Sequence, residues 1–567
     1  MHMRTSTDKP LIVQSDRTIL LATDNSKYVL ARDLLARFAE LERSPEHFHT
    51  YRITPLSLWN AAAAGNRPAE LISRLQEFSR YPVPTNVIFE IEEQMTRYGR
   101  LRLIRSNDDL ILSSTDEILL LRLARNQRLA GLLGERTHEG FMVPMGMRGK
   151  VKLVLMKLGW PVEDLAGYTT GAPLEISLRD AMRDGTRFRL RSYQTDAAEI
   201  FHASGSERGG SGIVVLPCGA GKTMVGLGVM ALLKRQTLIV TTGVTALRQW
   251  KRELLDKTSL QEDDVGEYSG LKKQTRPVTV TTYQTVTYRK KRSEAFPHFE
   301  LFTTLDWGLI IYDEVHLLPA PVFRITSEIQ ARRRLGLTAT LIREDGKEGE
   351  VFSLIGPKRY DVPWKDLERA GWIAQATCYE IRVDLSPEVE DEFIASSTRH
   401  QQMVAGANPA KDRIIAALLE RHDNDRVLII GQYLKQLRRI AQVTSLPLIT
   451  GQTPQKTRDE LYDSFRSGEI RTLIVSKVGN FAVDLPEANV AIQVSGTFGS
   501  RQEEAQRLGR ILRPKNSGCP ARFYSLVTAR TSDERFANNR QLFLTEQGYR
   551  YYIIRAEDIV RIDDFNT

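Results

Sequence analysis

At 567 residues the chain is long enough for about three or four domains of roughly 150 residues, each burying its own core. Its 41% apolar and 26% charged residues, with ordinary glycine and proline contents, exclude fibrous, collagenous and wholly disordered classes. The 79 Lys and Arg against 70 acidic residues leave a net charge of +9, a balance compatible with a polyanionic partner and equally with solvated charged faces.

Cys218, Cys378 and Cys519 are far apart and form no C-x-x-C, which argues for a reducing cytoplasm and against a disulfide framework or cysteine-rich zinc site. No run approaches the roughly 20 apolar residues of a membrane helix, and Met1 to Lys9 is polar, so the expectation is a cytoplasmic chain without a membrane partner.

In chain order, Thr54-Pro55 and Arg67-Pro68 each look like a helix start with Pro at the first position, and Thr85 is a candidate cap for Val87 to Met95. Three helices are expected. Leu101 to Ile104 and Leu110 to Ser113 then read as a hairpin turning at Ser106 to Asp109, so the region looks winged-helix-like. Arg100 and Arg102 share a strand face, compatible with a nucleic-acid contact and, the favoured reading, with a solvated face. From Ile118 to Leu165 a helix, the strand Phe141 to Val143 and another helix suggest a further small α/β unit. Residues 171–187 read as a linker.

From Ile213 onward, continuous apolar runs alternate with helical stretches: Ile213 to Leu216, Leu238 to Val240, Val278 to Thr281, Leu309 to Tyr312 and Leu335 to Leu337. Such runs are strands buried on both faces, as in a parallel sheet wrapped by helices. A second series follows, with Val427 to Ile430, Leu446 to Ile449, Leu473 to Val475, Val490 to Val494 and Phe523 to Val527. The expected fold is therefore α/β, two tandem parallel-sheet lobes behind an α+β N-terminal region, with chemistry gathered at strand ends in the cleft between lobes. The expected boundaries are 1–170 for the N-terminal domain, 171–187 for the linker, 188–365 and 366–548 for the lobes, and 549–567 for a tail.

The strongest motif is Leu216-Pro217-Cys218-Gly219-Ala220-Gly221-Lys222-Thr223, between the strand at Ile213 and a helix running to about Leu233. In a phosphate loop of this kind, Pro217 to Gly221 present backbone N–H groups, Lys222 reaches the terminal phosphates, and the Thr223 hydroxyl can ligate Mg²⁺. Leu216 stands where the strict pattern has Gly, leaving the shorter G-x-G-K-T. The second motif, Tyr312-Asp313-Glu314-Val315-His316, closes an apolar strand. Asp313 is placed to hold Mg²⁺ and Glu314 to polarise the attacking water. Positive charge for the transition state is offered by Gln506, Arg510 and Arg513, which share one helical face; on their own they could equally form a surface stripe.

Together with Gln194 in Arg191-Ser192-Tyr193-Gln194 and with Thr338-Ala339-Thr340, these segments occur in the order of the superfamily 2 helicase motifs, which they resemble. Arg343-Glu344-Asp345 after the Thr-Ala-Thr segment and Arg507 to Pro514 are similar to elements of the XPB family, the xeroderma-pigmentosum group B helicases. Pro10 to Tyr98, with His49 to Leu56, is similar to the N-terminal domain of bacterial members. The resemblance implies two RecA-like lobes and an ATP- and Mg²⁺-dependent 3′-to-5′ DNA helicase or translocase, nucleoid-associated and acting in nucleotide excision repair; a nuclease or repair-factor partner stays open. By the same resemblance Gln194 selects adenine, Thr338 and Thr340 couple phosphate release to lobe movement, and Arg343, Glu344 and Asp345 assist DNA opening. Candidate DNA contacts are Thr242, Arg248 and Gln284 in the first lobe and Gln432, Thr450, Ser476 and Lys477 in the second; each could equally be a cap or strand-end polar group. The cluster Arg289 to Arg292 fits a phosphate contact, but a solvated loop is favoured. The polar segment Glu388 to Pro409 occupies the place of the family's thumb-like insertion. Trp250, Trp307 and Trp372 are read as packing residues, and no metal other than Mg²⁺ is expected. The alternatives are a duplex translocase that does not separate strands and a DNA-binding scaffold with a decayed ATPase.

Overall fold

Short strands order the described residues into four sheets. The computed structural model describes residues 9–43, 47–106, 109–206, 209–217, 219–291, 296–329, 332–339, 348–362, 364–476, 488–496, 507–509, 521–547, 549 and 551–559. They divide into a first unit (1–40, 46–216 and 221–361) and a second (362–567 with 41–45 and 217–220).

In the N-terminal region β1 (Leu11–Val13), β2 (Thr18–Ala22), β3 (Glu40–Arg43) and β4 (Phe48–Arg52) form a sheet in the order β1-β2-β4-β3. The three expected helices follow at Pro55–Ala63, Pro68–Phe78 and Thr85–Arg97. Thr54 caps the first, its hydroxyl accepting from Ser57 N–H at 3.1 Å. The third is entered from Pro84, so Thr85 is its first residue and not its cap.

The expected hairpin is β5 (Leu101–Ser106) and β6 (Asp109–Ser114), paired antiparallel. With β7 (Gly140–Val143) and β8 (Val162–Asp164) it makes one sheet, β7-β6-β5-β8, in which β8 runs parallel to β5. The hairpin and the small unit after it, separate in the sequence expectation, therefore share one core of Leu101, Leu103, Leu112, Leu119, Val151 and Leu155. Arg102 is exposed and lies 3.3 Å from Glu163. Residues 171–187 hold no helix, yet Leu174 and Ile176 are buried and main-chain bonds from Leu174 to Lys234 and from Arg179 to Lys257 tie the segment down.

The third sheet contains β9 (Ser211–Val215), β10 (Thr237–Thr241), β11 (Val265–Tyr268), β12 (Val278–Thr282), β13 (Leu309–Asp313), β14 (Arg333–Thr338) and β15 (Lys358–Asp361). Its order is β11-β12-β10-β13-β14-β9-β15, every pair parallel. The fourth, in the second unit, contains β16 (Ala376–Val383), β17 (Val427–Gly431), β18 (Leu448–Ile449), β19 (Thr472–Ser476), β20 (Val490–Gln493), β21 (Ala521–Thr528) and β22 (Tyr551–Arg555). Its order is β18-β19-β17-β20-β21-β16-β22, again parallel. All the strands expected of both lobes are present. β22 lies within the segment expected as a tail. Glu388–Pro409 folds largely as two short helices, Glu390–Ala395 and Thr398–Gly406. Among the described residues no helix is long and apolar enough to cross a membrane.

Candidate active site

The order β13-β14-β9 and its register decide the site. Asp313 pairs with Leu337 and Thr338 with Val215, so three neighbouring strands end together and deliver the acid pair, Thr338 and the phosphate loop to one edge. Leu216 N–H donates to Thr338 C=O at 3.0 Å, fixing the loop's first residue to the end of β14.

Gly219 and Gly221 have φ of 84° and 81°, in the left-handed region that favours glycine. At Gly221 a Cβ would stand 2.5 Å from Gln194 Nε2, so the missing side chain also admits Gln194. The helix Lys222–Leu233 starts at once, putting Lys222 and Thr223 at its positive end. Lys222 Nζ lies 3.1 Å from Glu314 Oε1, both groups largely buried. Glu314 reaches it because its own backbone is left-handed, with φ 49°, a conformation costing on the order of 1 kcal/mol or more.

Asp313 Oδ2 accepts from Trp250 Nε1 at 2.9 Å, and its carbonyl accepts from the Tyr283 hydroxyl at 3.0 Å. Burial, and then the charge of Glu314, push the Asp313 carboxyl up to about 6, against the pull of Trp250 and Lys222. Burial also raises Glu314, but Lys222 and then His316 win and hold it below the usual value. His316 Nδ1 is 3.5 Å from Glu314 Oε2 and 2.6 Å from Thr338 Oγ1. A continuous path thus runs from Lys222 through Glu314 and His316 to Thr338.

Gln194 is buried, and its Oε1 accepts the Arg191 N–H at 2.9 Å, capping its own helix. Thr242 is half-buried after β10, while Arg248 and Gln284 are exposed, all three at or beyond C-terminal strand ends. In the second unit Gln432 follows β17, its main-chain N–H bonded to Ser495 Oγ at 2.9 Å. Thr450 is buried and its hydroxyl accepts from Gln452 N–H; Ser476 is buried at the end of β19. The Thr450 hydroxyl is engaged in the turn, and the Ser476 hydroxyl is buried. Cys218, Thr340, Arg343, Glu344, Asp345, Lys477, Gln506, Arg510 and Arg513 lie outside the described residues. Of the arginine segment, Arg507 is buried and its guanidinium donates to Gln493 Oε1.

Trp250 has a second role that its sequence position does not announce: it holds the Asp313 carboxylate as well as packing. Trp307 is buried with Nε1 donating to Leu301 C=O, whereas Trp372 is 36% exposed.

Two tandem seven-stranded parallel sheets, the first carrying a phosphate loop beside a strand-end Asp-Glu pair, define a two-lobe RecA-like protein of the helicase class. Sequence profiles agree along the chain: the ERCC3/RAD25/XPB C-terminal helicase family matches residues 367–565, a helicase conserved C-terminal domain 11–138, and the res subunit of type III restriction enzymes 187–343. A DNA 3′-5′ helicase XPB of Kineococcus radiotolerans is 53% identical over 98% of both chains. One from Mycobacterium tuberculosis is 52% identical over 98% of this chain and 99% of its own. An Antonospora locustae protein, a general transcription and DNA repair factor IIH helicase/translocase subunit XPB, is 33% identical over 98% of this chain and 83% of its own. The chain belongs to the XPB family of helicases.

Proposed function

We propose that the chain is an ATP-driven DNA motor that moves on or opens DNA in the 3′-to-5′ sense, cytoplasmic and nucleoid-associated, with a role in nucleotide excision repair. The observation that carries this reading is the 3.1 Å pair of Lys222 and Glu314 with Asp313 and Thr338 on adjoining strand ends.

Lys222 is the cation a polyphosphate in the loop draws toward itself, supported by the N–H groups of Gly219 to Gly221 and by the helix N-terminus. Drawn away, it leaves Glu314 charged beside His316 and able to accept a proton from water. The donor set fits a divalent cation: Thr223 brings a hydroxyl, Asp313 a carboxylate oriented by Trp250, and Glu314 a second buried carboxylate, its Oε2 3.5 Å from His316 Nδ1. Thr223 and Asp313 would hold Mg²⁺, which would offset phosphate charge. Gln194, against Gly221, is the residue we assign to adenine. Arg510 and Arg513, with Gln506, are assigned the charge that develops in the transition state, Thr340 with Thr338 the coupling to movement, and Arg343, Glu344 and Asp345 the opening of DNA.

The test is ATPase activity measured side by side with single-stranded DNA, duplex DNA and RNA. Stimulation by DNA is expected; no stimulation by either DNA overturns the reading. A second reading, a duplex translocase that leaves strands paired, is favoured by the helicase/translocase name of the Antonospora locustae relative. Displacement from a 3′-tailed duplex separates the two: ATP consumption without a free strand selects the translocase.

A further inference from the structure

The loop after β12 carries a cluster of cations that the nucleotide site does not use. Around it, at the β11 edge of the third sheet, the structure assembles aromatic rings. The Tyr268 hydroxyl lies 3.0 Å from His298 Nδ1, and Lys273 Nζ lies 3.4 Å from His298 Nε2. The same ammonium stands 4.3 Å from the centre of the Tyr268 ring. Tyr288 lies 6.4 Å from His298, tilted by 31°. Arg289 sits 4.7 Å over Phe296, which stacks on Phe299 at 4.6 Å.

This surface faces the side on which the nucleotide site lies. β11, β12, β10 and β13 are parallel, so Tyr268 at the end of β11 and Tyr288 beyond β12 share the strand-end side with Asp313. Tyr288 is 55% exposed, and Leu271, in the turn between Tyr268 and Lys273, is 83% exposed. Lys272, Lys273, Lys290 and Lys291 are exposed around them; Glu300 is the acid whose charge reaches Tyr268 and His298.

A solvated basic loop has no reason to order rings beneath its cations, and a packing cluster has no reason to leave Tyr288 in water. Aromatic faces interleaved with amines match a polynucleotide whose bases are unstacked: rings take bases, amines take phosphates. A duplex keeps its bases paired and offers Tyr288 no face, and the carboxylates of an acidic peptide use the amines but not the ring face of Tyr288. We propose that Tyr288, with Lys272, Lys273, Lys290 and Lys291, forms an accessory contact for single-stranded DNA on the first unit, in which Tyr288 stacks on an unpaired base and the lysines hold the flanking phosphates. The contact rests on the reading that DNA is the track, and adds to phosphate holding a base-stacking element specific to unpaired strand.

Fluorescence anisotropy on the full chain, with a labelled oligothymidine and a blunt duplex, tests it. Tyr288→Ala is expected to weaken oligothymidine binding by about tenfold and to leave duplex binding within about twofold, while Tyr288→Phe, which keeps the ring, restores the parent affinity. Replacing Lys290 and Lys291 together by Ala is expected to reduce the slope of log affinity against log salt on oligothymidine by about 1.4, at roughly 0.7 per phosphate. Unchanged oligothymidine binding in Tyr288→Ala, or an equal loss on oligothymidine and duplex, overturns the contact. Parent protein that binds neither DNA overturns the DNA reading as well, so the two failures are distinguishable. Matching thermal midpoints of the variants and parent exclude misfolding as the cause.

Discussion

At Lys222 one ammonium lies 3.1 Å from the Glu314 carboxylate, and on the proposed function it serves a second anion in turn, an incoming polyphosphate. Lys222→Ala is expected to abolish ATP turnover while DNA binding, measured by anisotropy, largely survives; equal turnover in variant and parent would remove the site assignment. Glu314→Gln separates the two tasks. It removes the proton acceptor and releases Lys222, so turnover should fall about 10²- to 10⁴-fold, the contribution of a general base, while nucleotide affinity does not fall. Parallel losses in turnover and affinity would show that Glu314 only positions the lysine. Arg510→Ala should lower turnover by roughly 10³-fold or more, as for an arginine finger, with far less effect on nucleotide affinity.

Elements of the first unit are held to one another by buried polar groups as well as by apolar cores. Trp250, on the helix Val244–Lys257, fits a slot opened by Gly226, where a Cβ would meet its Cη2 at 2.5 Å. It therefore joins the phosphate-loop helix to the acid of β13. Trp250→Phe keeps most of the ring and loses the N–H to the Asp313 carboxylate, a bond to a charged group worth about 1.5–3 kcal/mol. A thermal midpoint equal to the parent's would show that this bond carries nothing.

In β8, Asp164 accepts from Arg148 at 2.7 Å and Lys152 at 2.9 Å. Burial raises its carboxyl, but Lys152 and then Arg148 hold it far below the usual range. Because the folded value is depressed, its stabilisation is present above the unfolded value near ~3.9 and is lost as pH falls through the folded value. Asp164→Asn should cost about 3–5 kcal/mol at neutral pH, since it leaves buried cations unmatched. The variant's and parent's unfolding curves should converge as pH drops below ~4; a pH-independent gap would contradict this account.

On the scale of the whole molecule, the two large sheets have separate cores, one around Ile310, Tyr312 and Val322, the other around Ile429, Ile492 and Tyr524. Independent cores unfold in more than one transition. Scanning calorimetry should resolve at least two, and Mg-ATP should raise the midpoint of the one belonging to the Lys222 unit, by about 2.7 kcal/mol of linkage at a hundredfold excess over Kd. The shift should vanish in Lys222→Ala. One cooperative transition would overturn the independence of the cores.

The phosphate loop, the Asp313-Glu314 pair and the strands Leu309–Asp313 and Val427–Gly431 were legible in the amino-acid order. Strands covered on both faces are written as unbroken apolar runs, and loop chemistry needs particular residues at fixed spacing. β11, β15 and β16 were not legible: Glu267, Lys358 and Arg359, and Glu380 and Arg382 interrupt the apolar pattern, yet Glu380 is buried, accepting from Arg382 at 2.8 Å, and Glu267 accepts from Ser269 at 2.9 Å; β22, Tyr551–Arg555, carries an apolar run but lies in the stretch expected as a tail. Nor does local pattern reveal that β14 lies between β13 and β9, that Trp250 reaches Asp313, or that Tyr288 and Lys273 meet around His298. These are pairings between residues tens of positions apart, and periodicity reports only which face of an element is covered, never by what. The sequence by itself determined the chemistry available and the class of fold; the tertiary structure decided which of those groups stand together.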